Sequence, residues 1–315
     1  MRKKRFCGLF LAAVLLLSGC GSNETTSGNS VSDTEYSILS VLFHEPFLDY
    51  FNISVHYSSE RKSLMKKIES TLSEEPVKVV LQGGGLFGKD HYALTANKSS
   101  NILYYGKIKD NKPDGFGVLT YGEVDLTKLD TVQELVYAGD FSKGMFDGYG
   151  AQFYTFSYDI DRLDIDSVVE AGNLDESYYE LAKVYLQSYV VYDGQWKDGE
   201  MDGKGNTFVK MASKDNPVQE AYWAGPCYPT KLYVTTIKDD KCSGDTQEYQ
   251  YGFLIYDGEM KKSYRHGKGI SYYYSGQKKY DGQWNNGYYN GSGKLYDEDG
   301  KLIYSGKWKD GDYAS

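Results

Sequence analysis

Residues 280–293 read YDGQWNNGYYNGSG, and the pattern in this stretch recurs along the chain. A tyrosine is followed by glycine two positions later, by a large apolar residue four positions later, and by further glycines after seven, eleven and thirteen positions. The recognisable copies begin at Tyr104, Tyr137, Tyr192, Tyr256, Tyr280 and Tyr304. The last three copies begin 24 residues apart, and a period in this range is typical of stacked supersecondary units.

Each copy has the alternation of a β-strand. Tyr256, Gly258 and Met260 alternate with charged residues, which places the two kinds of side chain on opposite faces of a strand. The glycines that follow favour positive φ and close a hairpin. Asn111 and Ser263 replace the turn glycine in two copies. The pattern therefore predicts an all-β fold, an elongated single-layer antiparallel sheet built from repeated hairpins.

This pattern, Y-x-G-x-[W/F]-x-x-G-x-x-x-G-x-G-x-x-x-Y, resembles the MORN (membrane occupation and recognition nexus) repeat family. The resemblance covers about 104–315, with interruptions. It implies that the sheet consists of MORN-type β-hairpins. Binding of anionic lipid headgroups has been proposed within that family, and similar arrays elsewhere accompany catalytic domains.

Extra residues separate three of the copies from the copy that follows. Each excess comes after the second strand of its hairpin. The insertions 122–136, 155–191 and 210–255 are therefore expected along one rim of the sheet, where repeat proteins often build their binding face.

A segment of different composition, residues 36–98, precedes the array at 99–315. Its pattern predicts a small mixed α+β cap with a helix over 59–72 and a strand over 77–82. A segment of this length barely sustains a core of its own. We expect it to pack on the first hairpins and to cover the leading edge of the sheet.

The first residues read as an export signal. Residues 2–5 are basic, residues 6–17 are apolar, and Leu17-Ser18-Gly19-Cys20 follows. This ending resembles the lipobox of bacterial lipoproteins, which implies cleavage after residue 19 and a lipid, including fatty acyl chains such as palmitate, on Cys20. A plain secreted protein is the alternative. Residues 20–35 predict a flexible tether, and the expected location is the extracytoplasmic side of the cell membrane.

The net charge of the chain indicates which classes of partner it can bind. The chain has 35 Lys and Arg against 44 Asp and Glu, a net charge of −9. Removing residues 1–19 takes away four basic residues and no acidic ones, so 31 face 44 and the net charge becomes −13. This balance argues against nucleic acid as a partner. A local surface for anionic phospholipid remains an alternative, near Lys261, Lys262, Arg265, Lys268, Lys278 and Lys279.

Cys7 lies in the export signal and Cys20 is the expected site of lipid attachment, so two other cysteines remain. Cys227 and Cys242 are candidates for one disulfide that closes a small loop, as suits an exported protein. The alternative is a pair of free thiols.

Motifs that would carry chemistry are incomplete. Residues 83–90 nearly spell a phosphate-binding loop, but Asp90 stands where a hydroxyl residue would meet magnesium. Residues 159–170 space carboxylates somewhat like a calcium loop, but Leu163 and Asp164 occupy positions for an oxygen ligand and a glycine. The histidines show no ligand spacing. We therefore expect no catalytic residues, no metal site and no cofactor, and a protein that is not an enzyme.

The favoured function is a membrane-anchored scaffold for another envelope protein or for a second copy. Tyr304–Trp308 reads as a strand without its hairpin partner, which favours self-association. The alternative is binding of cell-wall glycan, because rows of exposed aromatic rings stack on sugars, whereas packing within the sheet is the structural explanation of the same rows. The candidate binding residues are Tyr192, Trp196, Tyr280, Trp284, Tyr304 and Trp308.

Overall fold

A computed structural model of the chain describes residues 37–73, 78–80, 102–110, 112–121, 135–155, 188–209 and 229–314. The helices are α1 (Ile38–Leu42), α2 (Glu45–Tyr50) and α3 (Ser58–Ser73). The strands are β1 (Lys78–Val80), β2 (Ile102–Lys109), β3 (Lys112–Tyr121), β4 (Leu135–Ser142), β5 (Met145–Thr155), β6 (Ser188–Lys197), β7 (Glu200–Val209), β8 (Lys231–Lys238), β9 (Lys241–Gln250), β10 (Phe253–Lys261), β11 (Tyr264–Tyr272), β12 (Lys278–Asn285), β13 (Tyr288–Tyr296), β14 (Leu302–Lys309) and β15 (Asp312–Ala314).

Several features from the sequence fall outside the described residues. They are the export signal 1–19, Cys20 and the tether 20–35, the stretches 83–90 and 159–170, and Cys227. The insertions 122–136 and 155–191 lie mostly outside as well, whereas residues 229–255 of the third insertion are described.

The strands form one antiparallel sheet in chain order, which confirms the predicted fold class. Two-residue turns close the hairpins at one long side of the sheet, which we call the hairpin rim. The opposite side, where one hairpin connects to the next, is the connection rim. Ser263 replaces the usual turn glycine and still adopts φ 65°, with Lys262 before it at φ 53°. The turn geometry therefore survives the loss of glycine at this position.

The repeat tyrosines lie on one face of the sheet, the tyrosine face. The ring of Tyr280 lies across Gly282 and Gly293, which are directly paired on neighbouring strands, and a Cβ on either glycine would overlap that ring. The Tyr280 hydroxyl donates a 2.9 Å hydrogen bond to the carbonyl of Gln283, three residues on. The same bond is made, at 2.7 to 3.1 Å, by Tyr104, Tyr137, Tyr192, Tyr256 and Tyr304. Absence of a side chain at the glycines thus lets each tyrosine lie flat and bond to the backbone.

Residues 231–250 form a seventh hairpin, β8–β9, where the sequence analysis assigns part of an insertion. This hairpin keeps the repeat offsets from Tyr233, but Thr235 and Thr246 stand in place of the paired glycines. Their hydroxyl oxygens are 2.6 Å apart. With Cβ atoms on both strands, Tyr233 donates instead to Glu248 Oε1 at 3.3 Å. The prediction of an insertion was wrong here, because the threonines in place of the paired glycines made the repeat unrecognisable in the sequence.

The opposite face, the helix face, changes character along the array. One row of directly paired residues crosses it from β2 to β14. In order, the row consists of Tyr105, Val118, Ala138, Ala151, Asp193, Asn206, Val234, Gln247, Asp257, Ile270, Asp281, Lys294 and Ser305. Its first part is buried and mostly apolar, whereas from Asp257 onward it is exposed or half-buried and mostly polar.

Helices α1, α2 and α3 cover the apolar part of the helix face. Phe43, Phe47 and Ile68 pack with the buried side chains of the sheet in one hydrophobic core. Strand β1 pairs with β2 at the leading edge, so the N-terminal segment covers both the edge and the face, as the sequence predicts. The helix expected over 59–72 is α3. The sheet remains a single layer beyond the helices.

One buried ion pair joins α3 to the sheet. Arg61 is fully buried, forms a salt bridge with Asp193 and donates to Glu45 Oε1 at 3.1 and 3.2 Å. Asn206 donates a 2.6 Å hydrogen bond to the other oxygen of Asp193 and a 3.0 Å bond to the carbonyl of His56. The polar pair Asp193–Asn206 in the row described above therefore marks where the helices attach.

The tyrosine–glycine contact predicts a steric effect. Gly293→Ala forces a methyl group into the ring of Tyr280, and overpacking of this kind destabilises proteins by about 1–3 kcal/mol. Urea denaturation measures the loss, with Ser305→Ala, at an exposed position of the same sheet, as the control. In a Tyr280→Ala background the same glycine substitution should cost clearly less. Additive effects would contradict the contact.

The buried ion pair predicts a larger loss of folding stability than the tyrosine–glycine contact does. Arg61→Met leaves the Asp193 carboxylate buried and unpaired, which costs about 3–5 kcal/mol. The double variant Arg61→Met/Asp193→Leu removes both charges and should recover much of that stability. Lys62→Met, at the exposed neighbouring position, is the control. A loss below about 1 kcal/mol for Arg61→Met would show that the ion pair does not hold the helices.

Candidate functional site

The six aromatic candidates from the sequence lie in the packed layer on the tyrosine face. Five of them are buried, with exposed fractions of 0 to 5%, and Tyr304 is partly buried. Each of the three candidate tryptophans sits edge-on between two repeat tyrosines; Trp284, for example, lies 5.4 Å from Tyr256 and 5.2 Å from Tyr280 between ring centroids. These contacts assign the rings to packing within the sheet.

The polar atoms of these rings are also satisfied within the sheet. The indole nitrogens of Trp196, Trp284 and Trp308 donate to glycine carbonyls of the preceding hairpin at 3.0 to 3.2 Å. Burial raises the pKa of Tyr280 to about 12. Neither the ring faces nor the donors of this layer are free to meet a ligand, so a binding surface has to be sought elsewhere on the sheet.

Strand β14, which carries Tyr304 and Trp308, has a partner strand, contrary to the expectation from sequence. Strand β15 pairs with it through Asp312, Tyr313 and Ala314. Tyr313 packs on the Tyr304 ring with a centroid distance of 4.3 Å, in the way that Tyr289 packs on Tyr280 at 3.8 Å. The hairpin motif is therefore repeated here with a short second strand.

Among the described residues Cys242 carries a free thiol, and its disulfide with Cys227 stays a prediction because Cys227 lies outside them. It is 8% exposed and lies in the layer on the tyrosine face. Burial raises its pKa, although hydrogen bonds with Thr235 and Ser263 act in the opposite direction. A buried thiol with a raised pKa is a poor nucleophile. Its role is packing.

A charged cluster interrupts the tyrosine face at hairpin β8–β9. Glu248 is buried and accepts hydrogen bonds from Arg265 at 2.8 and 3.2 Å and from Lys231 at 3.3 Å. The Arg265 guanidinium lies 4.6 Å from the ring centroid of Tyr256, at the position where three other hairpins place Phe146, Tyr289 or Tyr313. The carboxylate is thus paired on both oxygens, which makes this cluster a structural substitute for ring stacking.

An exposed aromatic cluster lies on the connection rim, where the helices end. We call it the rim cluster; it consists of Tyr50, Phe51, Tyr251, Phe253 and Tyr274. Phe51 lies against Gly252 and packs on Phe253 and Tyr50, with centroid distances of 5.8 and 4.8 Å. Phe253 packs on Tyr274 at 5.8 Å. Four of the five rings are 45 to 53% exposed, which is unusual for a contiguous aromatic group on a soluble surface.

Tyr251 occupies an unfavourable backbone conformation in this cluster. It has φ 51° in the turn between β9 and β10, next to Gly252 at φ 86°. Bulky residues rarely adopt positive φ, and such positions cluster at functional sites. Burial raises the pKa of Tyr274, and the neighbouring Tyr251 and Glu248 raise it further. Sequence analysis missed this cluster because its rings come from the helical segment, from two turns and from the first residue of β10.

We also searched the described residues for a ligand pocket, a metal site and a membrane-spanning helix. A cavity of about 140 Å³ lies between α3 and the sheet, lined by Ser63, Lys67, Phe116, Asp140 and Tyr149 among others. It is well below the size of typical ligand pockets. In the described part of the chain, no group of three or more His, Cys, Asp or Glu side chains is placed to hold a metal ion. None of the described helices has the length and apolar character needed to cross a bilayer.

Comparison with known protein families gives one match. A model of the MORN repeat matches residues 104–123, 137–154, 192–206, 256–278 and 280–301. The chain therefore contains five MORN repeats, each of which begins at a tyrosine of the layer described above. A comparison with curated proteins finds no match. The repeats indicate a role in protein interaction or membrane association.

Proposed function

We propose that this protein is a non-catalytic lipoprotein, anchored in the cell membrane through Cys20 on the extracytoplasmic side, that presents its MORN-repeat sheet as a scaffold for another protein. The observation that carries the proposal is the rim cluster. The strained conformation of Tyr251 supports it, because asparagine or glycine would fit a turn residue with positive φ better than tyrosine does.

The composition of the rim cluster favours a protein partner. Tyrosine and phenylalanine are enriched at the centres of protein interfaces, where exposed rings become buried anchors. Successive rings in the cluster meet at 65 to 85°, which gives a surface of ridges and not a flat platform. Such a surface suits side chains of a partner that insert between the rings.

The proposal of a lipid anchor is based on the sequence of the first twenty residues. Basic residues 2–5 and the apolar run 6–17 have the pattern of an export signal, and Leu17-Ser18-Gly19-Cys20 resembles the lipobox of bacterial lipoproteins. Attachment of two or three acyl chains holds a protein on a membrane durably. Membrane association then requires no binding of headgroups by the repeats, which is consistent with the acidic balance of the mature chain.

Changes in the rim cluster should weaken partner binding. A photoactivatable phenylalanine analogue at position 274 should give one prominent adduct with another protein in intact cells, whereas the same analogue at Tyr288, on the hairpin rim, should not give that adduct. Phe253→Ser/Tyr274→Ser should weaken binding of the identified partner at least about tenfold, the effect of losing one strong anchor. An adduct only within the same chain would contradict the proposal.

Removal of the anchor should change the location of the protein. With Cys20→Ser, we expect loss of labelling by radioactive palmitate and recovery of the protein in the soluble fraction of the cell envelope or outside the cell. Cys242→Ser is the matched control, because Cys242 is buried in the sheet. Membrane association that persists in the Cys20 variant would overturn the lipid anchor and point to the repeats themselves.

A further inference from the structure

The helix face beyond the helices is an open polar surface. It is formed by β10–β14, and we call it the open half. Its exposed side chains include Asp257, Lys268, Gln283, Lys294 and Ser305. The apolar side chains among them include Ile270, which is partly buried, and Ile303, which is 54% exposed at the connection-rim end of β14. The open half lacks the apolar centre that marks a typical protein interface, so its composition calls for a hydrophilic ligand.

Two exposed tyrosines border the open half on the hairpin rim. Tyr264 and Tyr288 are 58 and 60% exposed, and each stands eight residues after the tyrosine that begins its repeat. Tyr264 Cδ1 lies 3.9 Å from the position of a Cβ on Gly287, and Tyr288 Cδ1 lies 3.6 Å from that on Gly311. Each ring thus rests beside the turn of the next hairpin. The pair forms a row that runs along the sheet.

The spacing of this row follows from the repeat. Adjacent strands are about 4.8 Å apart, so equivalent positions on successive hairpins are about 9.6 Å apart. Two sugar units of an extended β-linked polysaccharide span a similar length, and in such a chain every second ring presents the same face. Exposed rings on a rigid sheet at this spacing are suited to stacking on alternate sugars.

The charged side chains of the open half indicate the charge of the ligand. Five exposed lysines of the open half and its rim face the exposed carboxylates of Asp257, Glu259 and Asp312, and the Asp281 side chain is 41% exposed and paired with Lys278 at 2.9 Å. The lysines are Lys261, Lys268, Lys294, Lys307 and Lys309. Lys261 is paired directly with Tyr264 across the hairpin, and Asn285 is paired with Tyr288. The excess of positive charge is local, because the whole chain has a net charge of −9.

We infer that the open half binds an extended, β-linked acidic polysaccharide, with Tyr264 and Tyr288 stacked on sugar rings one repeat apart and the lysines placed against the acidic groups. The site is separate from the rim cluster, which lies on the opposite rim. It also differs from the glycan site expected from sequence, because the residues named there are buried in the tyrosine face. The sequence signal is tyrosine at the eighth position of two successive repeats, where other hairpins have lysine, methionine, glutamate or aspartate.

The test compares two polymers that share a backbone. The purified protein is titrated with a soluble β-1,4-linked polyglucuronate and with a neutral β-1,4-glucan of similar length, by isothermal calorimetry at two salt concentrations. We expect binding of the acidic chain, weaker binding of the neutral one, and a loss of affinity at high salt. Tyr264→Ala/Tyr288→Ala should weaken binding at least about tenfold.

Control variants separate stacking from folding. Tyr264→Phe/Tyr288→Phe keeps the rings and should keep most of the affinity, whereas Lys268→Gln/Lys294→Gln should lower the affinity and its salt dependence. Phe253→Ser/Tyr274→Ser in the rim cluster should have no effect. Absence of binding to both polymers, or unchanged binding by the double alanine variant, would overturn the site. Equal affinity for the neutral chain would overturn its assignment to an acidic ligand.

Discussion

The structure depends on a tyrosine ring that lies flat across two paired glycines and bonds to the backbone three residues on. This contact needs both partners, since a side chain at either glycine takes the space of the ring. Its repetition makes the tyrosine face a continuous layer in which rings contact rings of the next hairpin. Hairpin β8–β9 shows the alternative, because threonines replace the glycines and a charged cluster around Glu248 then replaces ring stacking.

The two faces of the sheet therefore have different roles: the tyrosine face packs on itself, and the helix face provides surface for other groups. The tyrosine face is closed by its own side chains and is similar along the array. The helix face varies, because its residues are free of the tyrosine–glycine contact. Where it is apolar, from Tyr105 to Val234, the N-terminal helices cover it, and Arg61 fixes them at Asp193. Beyond Asp257 it is polar and open. Surfaces available to ligands arise from this second face and from the rims.

Sequence reasoning recovered the features that follow from the repeat. Offsets from the tyrosines located five hairpins and the first strand of a sixth, and the 3.6-residue period located α3. It missed hairpin β8–β9, because Thr235 and Thr246 break the glycine pattern while keeping its spacing. It named Trp284 and its equivalents as candidate binding residues and left packing as the other explanation, because a strand pattern shows which residues share a face but not whether their rings lie flat and pack together. The rim cluster joins residues about 200 positions apart, a proximity that only the fold reveals.

The central claim is that the repeat tyrosines are closed off by packing, while other tyrosines form the accessible surface. Nitration of the native protein with tetranitromethane, mapped by mass spectrometry, tests this residue by residue. We expect rapid modification of Tyr264, Tyr274 and Tyr288, and protection of Tyr137, Tyr192, Tyr256 and Tyr280 until the protein is denatured. Modification of the repeat tyrosines at the same rate as the exposed ones would contradict the closed layer and the assignment of binding to the other surfaces.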